Sequence, residues 1–293
     1  MPAETSGQLV LRPHREPSSR TQKTIQVEVN SRDRNYTNDV VSNPFKFKFD
    51  APLKDVCKVE LIGGTIPGNP YNISEYNNKF TFFEGTTTRT LTIPPGYYTV
   101  NSLLLALPAL LTDGSSSSYT VRLNEFGCLV ISQLGIIQTF GFEFVSGRYT
   151  DVLDNNNGSL TVMNTPSTFL GFDLSDYYSI VGTSNTLTAP YPLDIASVNS
   201  RIYLHIDADN MQNLGCIARG SGRRSPFAII YLDTLTNGYK YLNKETVSPV
   251  SYSTPQPFAR LRSLVIDFRD EFYRPINFNG KDFTLLLEFT VLV

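Results

Sequence analysis

Strict alternation of apolar and polar residues recurs along this chain, and it confines the fold to sheets. Thr24–Asn30 reads TIQVEVN, with Ile25, Val27 and Val29 on one side, the pattern of a half-buried strand. Phe45-Lys46-Phe47-Lys48-Phe49 repeats it after Asn43-Pro44, and Phe140-Gly141-Phe142-Glu143-Phe144 does so again. Val56–Ile62 reads as a further strand, expected to close at Gly63-Gly64, and Ile66–Asn72 as a proline-fixed loop that breaks any ladder. Lys79–Phe83 and Thr88–Ile93 pair as a hairpin across Glu84-Gly85, and Tyr119–Leu123 with Cys128–Leu134 around Asn124-Glu125-Phe126-Gly127. Ile202–Ile206, Phe227–Leu232, Leu264–Phe268 and Phe283–Val293 follow, the last so apolar that it belongs in the centre of a sheet. Between Asp151 and Pro192 the periodicity is lost, apart from the apolar knot Phe169-Leu170-Gly171-Phe172.

One stretch breaks this rhythm. Leu91–Leu111 reads LTIPPGYYTVNSLLLALPALL and predicts a short helix opened by Asn101-Ser102 and limited by Pro108 and Asp113-Gly114. Leu103, Leu104, Leu105, Leu107, Leu110 and Leu111 cover nearly all its faces. The expectation is a helix buried on more than one side, acting as a plug or lid for a sheet assembly. Roughly a dozen short strands, one helix and no βαβ rhythm predict an all-β sandwich.

Composition narrows the function. With 25 basic against 27 acidic residues the formal charge is −2, so the chain as a whole carries no nucleic-acid signature. Cys57, Cys128 and Cys216 are odd in number and far apart, which fits neither a disulfide framework nor a zinc site; each is expected to be a small buried residue in a reducing compartment. No run of 18 apolar residues exists, so no membrane span is expected, and the absence of a leader points to cytosolic synthesis. Residues 1–22 are polar and proline-punctuated, too poor in apolar side chains to order themselves. They are expected to form an arm that orders against a neighbouring subunit.

Candidate chemistry is sparse. Of the two histidines, His14 lies in the arm and His205 in a strand, with Tyr203 and Asp207 on the same strand face; a hydrogen-bonded sheet residue is the simpler reading. Asp207-Ala208-Asp209-Asn210 resembles the start of a calcium loop without its glycine and distal glutamate. Asp267, Asp270, Glu271 and Glu288 are the carboxylates from which a glycoside-cleaving pair would have to come, and their spacing selects none. Arg219-Gly220-Ser221-Gly222-Arg223-Arg224 is the one concentrated basic loop; it lacks the lysine and spacing of a phosphate-binding loop.

The ordered string Ser31-Arg32-Asp33-Arg34-Asn35, Phe45-Lys46-Phe47, VELIGGTIPGNPYNI (Val59–Ile73), Asn78-Lys79-Phe80-Thr81-Phe82 and LTIPPGYYTVNSLLLAL (Leu91–Leu107) resembles the single jelly-roll penton and minor capsid proteins of large icosahedral double-stranded DNA viruses and virophages. Phe169–Phe172, Leu264–Asp270 and Asn277–Phe283 are similar to that group too. The resemblance implies one jelly-roll β-sandwich over residues 23–293, with a short buried helix, long loop insertions and an irregular insertion around 151–200. It implies a virion protein that is not an enzyme and has no cofactor, most specifically a homopentamer at the fivefold vertices. Its partners would be copies of itself, the major capsid protein and other minor capsid proteins, without nucleic-acid contact. Within the same group the alternative is a minor capsid protein lining the inner facets; in another class it is a carbohydrate-binding or carbohydrate-cleaving β-sandwich.

A ring of five needs two different patches on each subunit. One is expected at Arg32, Asp33, Arg34 and Tyr36. The other is expected at Ile66, Pro67 and Tyr71, or on the loop from Ala208 to Ser225 with Arg219, Arg223 and Arg224.

Overall fold

The computed structural model describes residues 21–37, 41–135, 137–153, 160–180, 185–209, 212–217, 224–232, 238–243, 247–248 and 251–293. The chain opens with β1 (Gln22–Asn30), a 3-10 turn at Ser31–Asp33, β2 (Phe45–Leu53) and β3 (Val56–Pro67). An excursion follows: β4 (Lys79–Glu84), β5 (Thr87–Thr92), α1 (Val100–Thr112), β6 (Ser118–Leu123), β7 (Cys128–Leu134), β8 (Phe140–Glu143), β9 (Val152–Leu153), β10 (Leu160–Val162), β11 (Tyr177–Tyr178) and β12 (Thr186–Pro192). The chain then returns through β13 (Arg201–Ala208), β14 (Gln212–Asn213), β15 (Ala228–Tyr231), β16 (Tyr239–Leu242), β17 (Val247–Ser248), β18 (Ser251–Phe258), β19 (Leu261–Arg269) and β20 (Thr284–Leu292).

Two antiparallel sheets frame the main body. The first runs β1-β20-β3-β16, with β18 also on β3; the second runs β17-β15-β13-β19-β2, with β14 also on β13. Taking β1, β2, β3, β13, β15, β16, β19 and β20 in chain order, the sheets read 1-8-3-6 and 2-7-4-5. That interleaving is the jelly roll. It arises because alternate residues of each strand are apolar: Val29, Val59, Leu61, Leu285, Leu287 and Phe289 from one sheet meet Ile202, Leu204, Ile206, Leu264, Ile266 and Phe268 from the other. Each such side chain contributes about 1.5–3 kcal/mol on burial. The last strand is central, as its apolar character requires, lying between β1 and β3.

Gly63-Gly64 does not end β3, which runs on to Pro67. The register against β20 instead shifts between Leu286 and Leu287, a bulge inside a continuous strand. Gly64 has φ 151°, and a Cβ there would stand 2.4 Å from the Thr284 carbonyl, so only glycine permits the approach.

The irregular insertion expected around 151–200 is the tail of a longer excursion, 68–200, with a core of its own. Sheets β11-β8-β4-β5 and β12-β7-β6 enclose Phe80, Phe82, Phe140, Phe142, Phe144 and Phe172. Most of these rings meet edge-on or tilted at centroid separations of 5–6 Å, such as Phe80–Phe142 at 5.3 Å. Helix α1 caps this second core rather than the barrel. Thr99, not Asn101, is its N-cap, in a capping box with Ser102, and the helix carries Pro108 inside it. Leu103, Leu107 and Leu111 form its buried stripe, whereas Leu105 is 80% exposed, so the helix is amphipathic and not enclosed on all sides.

The Ile-Pro loop and the Ile-Pro-Pro-Gly-Tyr-Tyr step form one knot. Ile73 N donates to the Gly96 carbonyl at 3.1 Å and Gly96 N to the Ile73 carbonyl at 2.8 Å. The buried Asn72 amide donates to the Tyr98 carbonyl at 2.8 Å and accepts from Tyr98 N at 2.8 Å.

Candidate assembly interface

The candidate residues separate into those the fold consumes and those it presents. Arg34 is buried: its guanidinium is paired with Asp282, donates to the Ser31 carbonyl at 2.9 Å and lies 4.2 Å from the Tyr36 ring. Ser31 Oγ donates to Asp282 at 3.0 Å and accepts from Phe283 N at 2.9 Å, so the turn after β1 is clamped to the start of β20. Arg34 is thus an internal clamp and not a contact surface. Ile66 and Pro67 are also buried, Ile66 within the barrel core. Arg32, Asp33 and Tyr36 remain exposed, Tyr36 at 54%. Tyr71 is half-buried; its N–H donates to the Asn277 carbonyl at 2.9 Å and its carbonyl accepts from Asn199 at 2.7 Å.

The two expected patches are not on different sides. Asn30 pairs with Thr284 and Thr284 with Thr65, which pairs in turn with Tyr241. This row brings the Arg32 turn and the end of β3 to one end of one sheet, around an open cleft of about 360 Å³ that Arg32, Tyr239, Tyr241 and Asp282 line. The Arg32 turn and the end of β3 therefore lie at the same end of one sheet, with Ile66 and Pro67 turned away from solvent. The Ala208–Ser225 alternative lies on the other sheet: Arg224 pairs with Asp207 of β13. Arg219 and Arg223 lie outside the described residues.

The carboxylates weighed for catalysis have structural partners. Asp207 is held by Arg224. Asp209 accepts from the amides of Arg262 and Ser263 at 2.5 and 2.9 Å, an arrangement that staples β19 and is no calcium loop. Asp267 pairs with Arg269 at 2.6 Å; burial pushes its carboxyl up, and Arg269 and Arg224 pull it back part-way. Asp270 pairs with Arg274 at 2.7 Å, and the exposed Glu271 lies 3.5 Å from Arg201. Glu288 stands on the other sheet. Among the described residues no three His, Cys, Asp or Glu side chains converge as a metal site.

His205 is fully buried in β13, its ring edge-on to Tyr273 at 5.2 Å. The three cysteines are free; Cys128 is buried, Cys57 and Cys216 partly so, and burial pushes the Cys216 thiol up to about 11, which leaves it protonated and unreactive at neutral pH. No helix among the described residues is long and apolar enough to cross a membrane.

Sequence reasoning missed Asp282, Arg274 and Glu84. Asp282 is reached from Arg34 across 248 residues of chain, and no local pattern marks it. Glu84, read as a turn residue, is buried in the second core and accepts from the hydroxyls of Ser115 at 2.6 Å and Tyr119 at 2.9 Å. A lone acid between an aromatic strand and a glycine was its only signal.

A family described as "family of unknown function (DUF5901)" matches residues 17–126, from the approach to β1 to the turn after β6. Over 73 residues, 25% of this chain, the sequence is 36% identical to the uncharacterized protein L356 of Acanthamoeba polyphaga mimivirus. The match spans only 11% of that protein's length. Among solved structures, the mavirus penton protein aligns with 93% of this chain and 100% of its own at a TM-score of 0.45 and 9% identity.

Proposed function

We propose that this chain is a structural protein of a viral shell, and that it closes in fives at the vertices of an icosahedral particle. The observation that carries this reading is the strand order 1-8-3-6 and 2-7-4-5 in a single barrel. One barrel with a large insertion spans the described residues. A unit with one barrel supplies a single wedge to a ring, whose contacts are heterologous and repeat by rotation. The local likeness to a mimivirus protein and the resemblance of the Ile-Pro loop and Tyr-Tyr step to capsid proteins support the same reading. Arg32, Tyr36, Tyr239 and Tyr241, exposed or lining one shallow cleft at a sheet end, suit a surface that meets protein. The acids that a hydrolytic site would use hold arginines or main-chain amides instead.

In this reading the protein is made in the host cytoplasm and resides in the virion, beside an abundant shell protein. Cryo-EM of the intact particle tests it. Density for this chain at the twelve vertices is the expected result. Density confined to the inner facet surface would replace the vertex reading with that of a facet-lining minor protein.

A further inference from the structure

One side of the barrel is sealed at one end only. β1 and β2 are the edge strands there: the Phe49 ring of β2 stands edge-on to Phe289, 5.6 Å away, and Phe289 is the β20 partner of Ile25 in β1. Burial falls along both strands toward the same end. Where β1 finishes and β2 starts, Val29 is 0% and Phe45 5% exposed. Toward the other end, Ile25 and Val27 of β1 and Phe47, Phe49 and Leu53 of β2 are only half-buried, although they continue the same inward rows, and Ala51 and Pro52 are exposed. β2 also leaves its sheet here, with Phe49, Asp50, Ala51 and Pro52 standing against the single residue Arg262 of β19.

β1 borders this mouth with a plain edge. All nine of its residues pair with β20 in one unbroken register, and among the described residues no strand pairs with its far side. It has no proline and no bulge, and apart from Lys23 at its tip its inward row is apolar. Such an edge is a template on which an extended segment adds as a further strand.

The chain itself carries a segment of that kind. Residues 1–20 join β1 at the open end, where the Thr21 carbonyl accepts from Val293 N at 2.8 Å. Their apolar run, Leu9-Val10-Leu11, lies within Gln8–Arg12, so that in an extended strand both leucines take one side and Val10 the other. Residues 12–20 intervene, nine residues that reach at most about 30 Å, the length of β1 itself. Pro13 and Pro17 favour an extended course there over a reversal onto the same edge. The leucines of one copy are therefore carried about a barrel's length from their own mouth, toward that of a neighbour.

We infer that Gln8–Arg12 of a second copy of this chain adds as a strand to the free edge of β1, with Leu9 and Leu11 closing the mouth over Ile25, Val27, Phe47 and Phe49. This rests on the reading of the chain as a self-assembling shell protein. Arm and mouth are different parts of each subunit, so the contact is heterologous and repeats around a ring when the rotation allows.

Cross-linking in mixtures of two full-length chains tests this. One chain carries Val10→Cys and the other Thr24→Cys or Gln26→Cys, positions on the outward row that leave the leucines and the inward row intact. Under copper–phenanthroline oxidation a disulfide between the two chains is expected, in excess of links to Cys57, Cys128 or Cys216. In sedimentation velocity, Leu9→Asp with Leu11→Asp is expected to weaken self-association on the order of 100-fold, the loss of two buried leucines, with an unchanged melting temperature. Val10→Asp, on the other side of the added strand, should leave association close to wild type. Association that tolerates Leu9→Asp with Leu11→Asp would overturn the inference and leave the ring reading standing. A link that forms only within a single chain carrying both Val10→Cys and Gln26→Cys would overturn it too, making the occupant the chain's own arm. Linked chains whose native mass is not that of a pentamer would keep the docked arm and remove the fivefold reading. A chain that stays monomeric at every concentration and forms no link between copies would overturn the inference as well.

Discussion

Arg274 joins the barrel to the insertion: its Nε donates to the Asp270 carboxylate at 2.7 Å while the same guanidinium donates to the main-chain carbonyls of Met163 and Tyr76. The planar fork serves three acceptors on two bodies at once, and its side chain also lies over the Phe272 and Tyr76 rings, at 4.9 and 5.6 Å. Asp270, in turn, accepts from the amides of Phe272 and Arg274, which shapes the turn that presents the guanidinium.

Removing that fork should loosen the junction. Arg274→Ala leaves a largely buried carboxylate without its cation, at a cost of about 3 kcal/mol. Arg274→Lys is expected to recover less than half, because an ammonium cannot span the same acceptors. Calorimetry checks this: the wild type should unfold in one transition, and the alanine variant in two, with the insertion and the barrel melting apart.

The helix offers a graded series. Leu107→Ala should cost about 2–5 kcal/mol, since Leu107 is sealed in the second core, whereas Leu105→Ala should change stability by less than about 0.5 kcal/mol. Leu104, partly buried against the same cluster, should fall between them. Urea titration of the three variants gives the order; equal costs at positions 105 and 107 would contradict the amphipathic placement.

Glu84 makes stability depend on acid. Burial raises its pKa, but the Ser115 and Tyr119 hydroxyls and Arg89 outweigh that, and the folded value ends below the ordinary 4.5. A depressed folded pKa means the contribution is complete above the unfolded value and is lost as pH falls through the folded one. Glu84→Gln should therefore be destabilised at pH 7 and show a flatter loss of stability between pH 5 and acid than the wild type. Parallel curves for the two chains would rule out this role.

At β3 the strand depends on a missing side chain. Gly64→Ala places a Cβ against the Thr284 carbonyl at 2.4 Å in a backbone region that alanine avoids, which should cost about 1–3 kcal/mol. Amide exchange should rise first along Thr284–Leu287, the stretch of β20 opposite the bulge.

The N-terminal arm is expected to act only in the assembled state. Gln22 already pairs with Leu292, and Thr21 accepts from Val293 N at 2.8 Å, so the cut belongs before Thr21. Deleting residues 1–20 should leave the melting temperature of the isolated protein unchanged while impairing particle assembly. A drop of several degrees would make the arm part of the fold.

Short-range patterns in the sequence determined most of the long strands, both hairpins and the central place of the last strand, because alternation and turn chemistry act over a few residues, but they did not mark β12, β16 or β18. They also showed one helix, though not its cap or its exposed side: six leucines look alike until a neighbouring sheet selects Leu103, Leu107 and Leu111. Tertiary structure alone decided that β1 lies on β20 and not on β2, that β3 bulges next to Gly63-Gly64 instead of ending there, and that Arg34 and Ile66 face inward. It also decided that Glu60 opposes Glu288 while Lys46 and Lys48 share the far side of the barrel. These are relations between residues at opposite ends of the sequence, such as Gln22 and Leu292. They are set by which faces must be buried together once the chain has closed its longest loops, and no local window contains that condition.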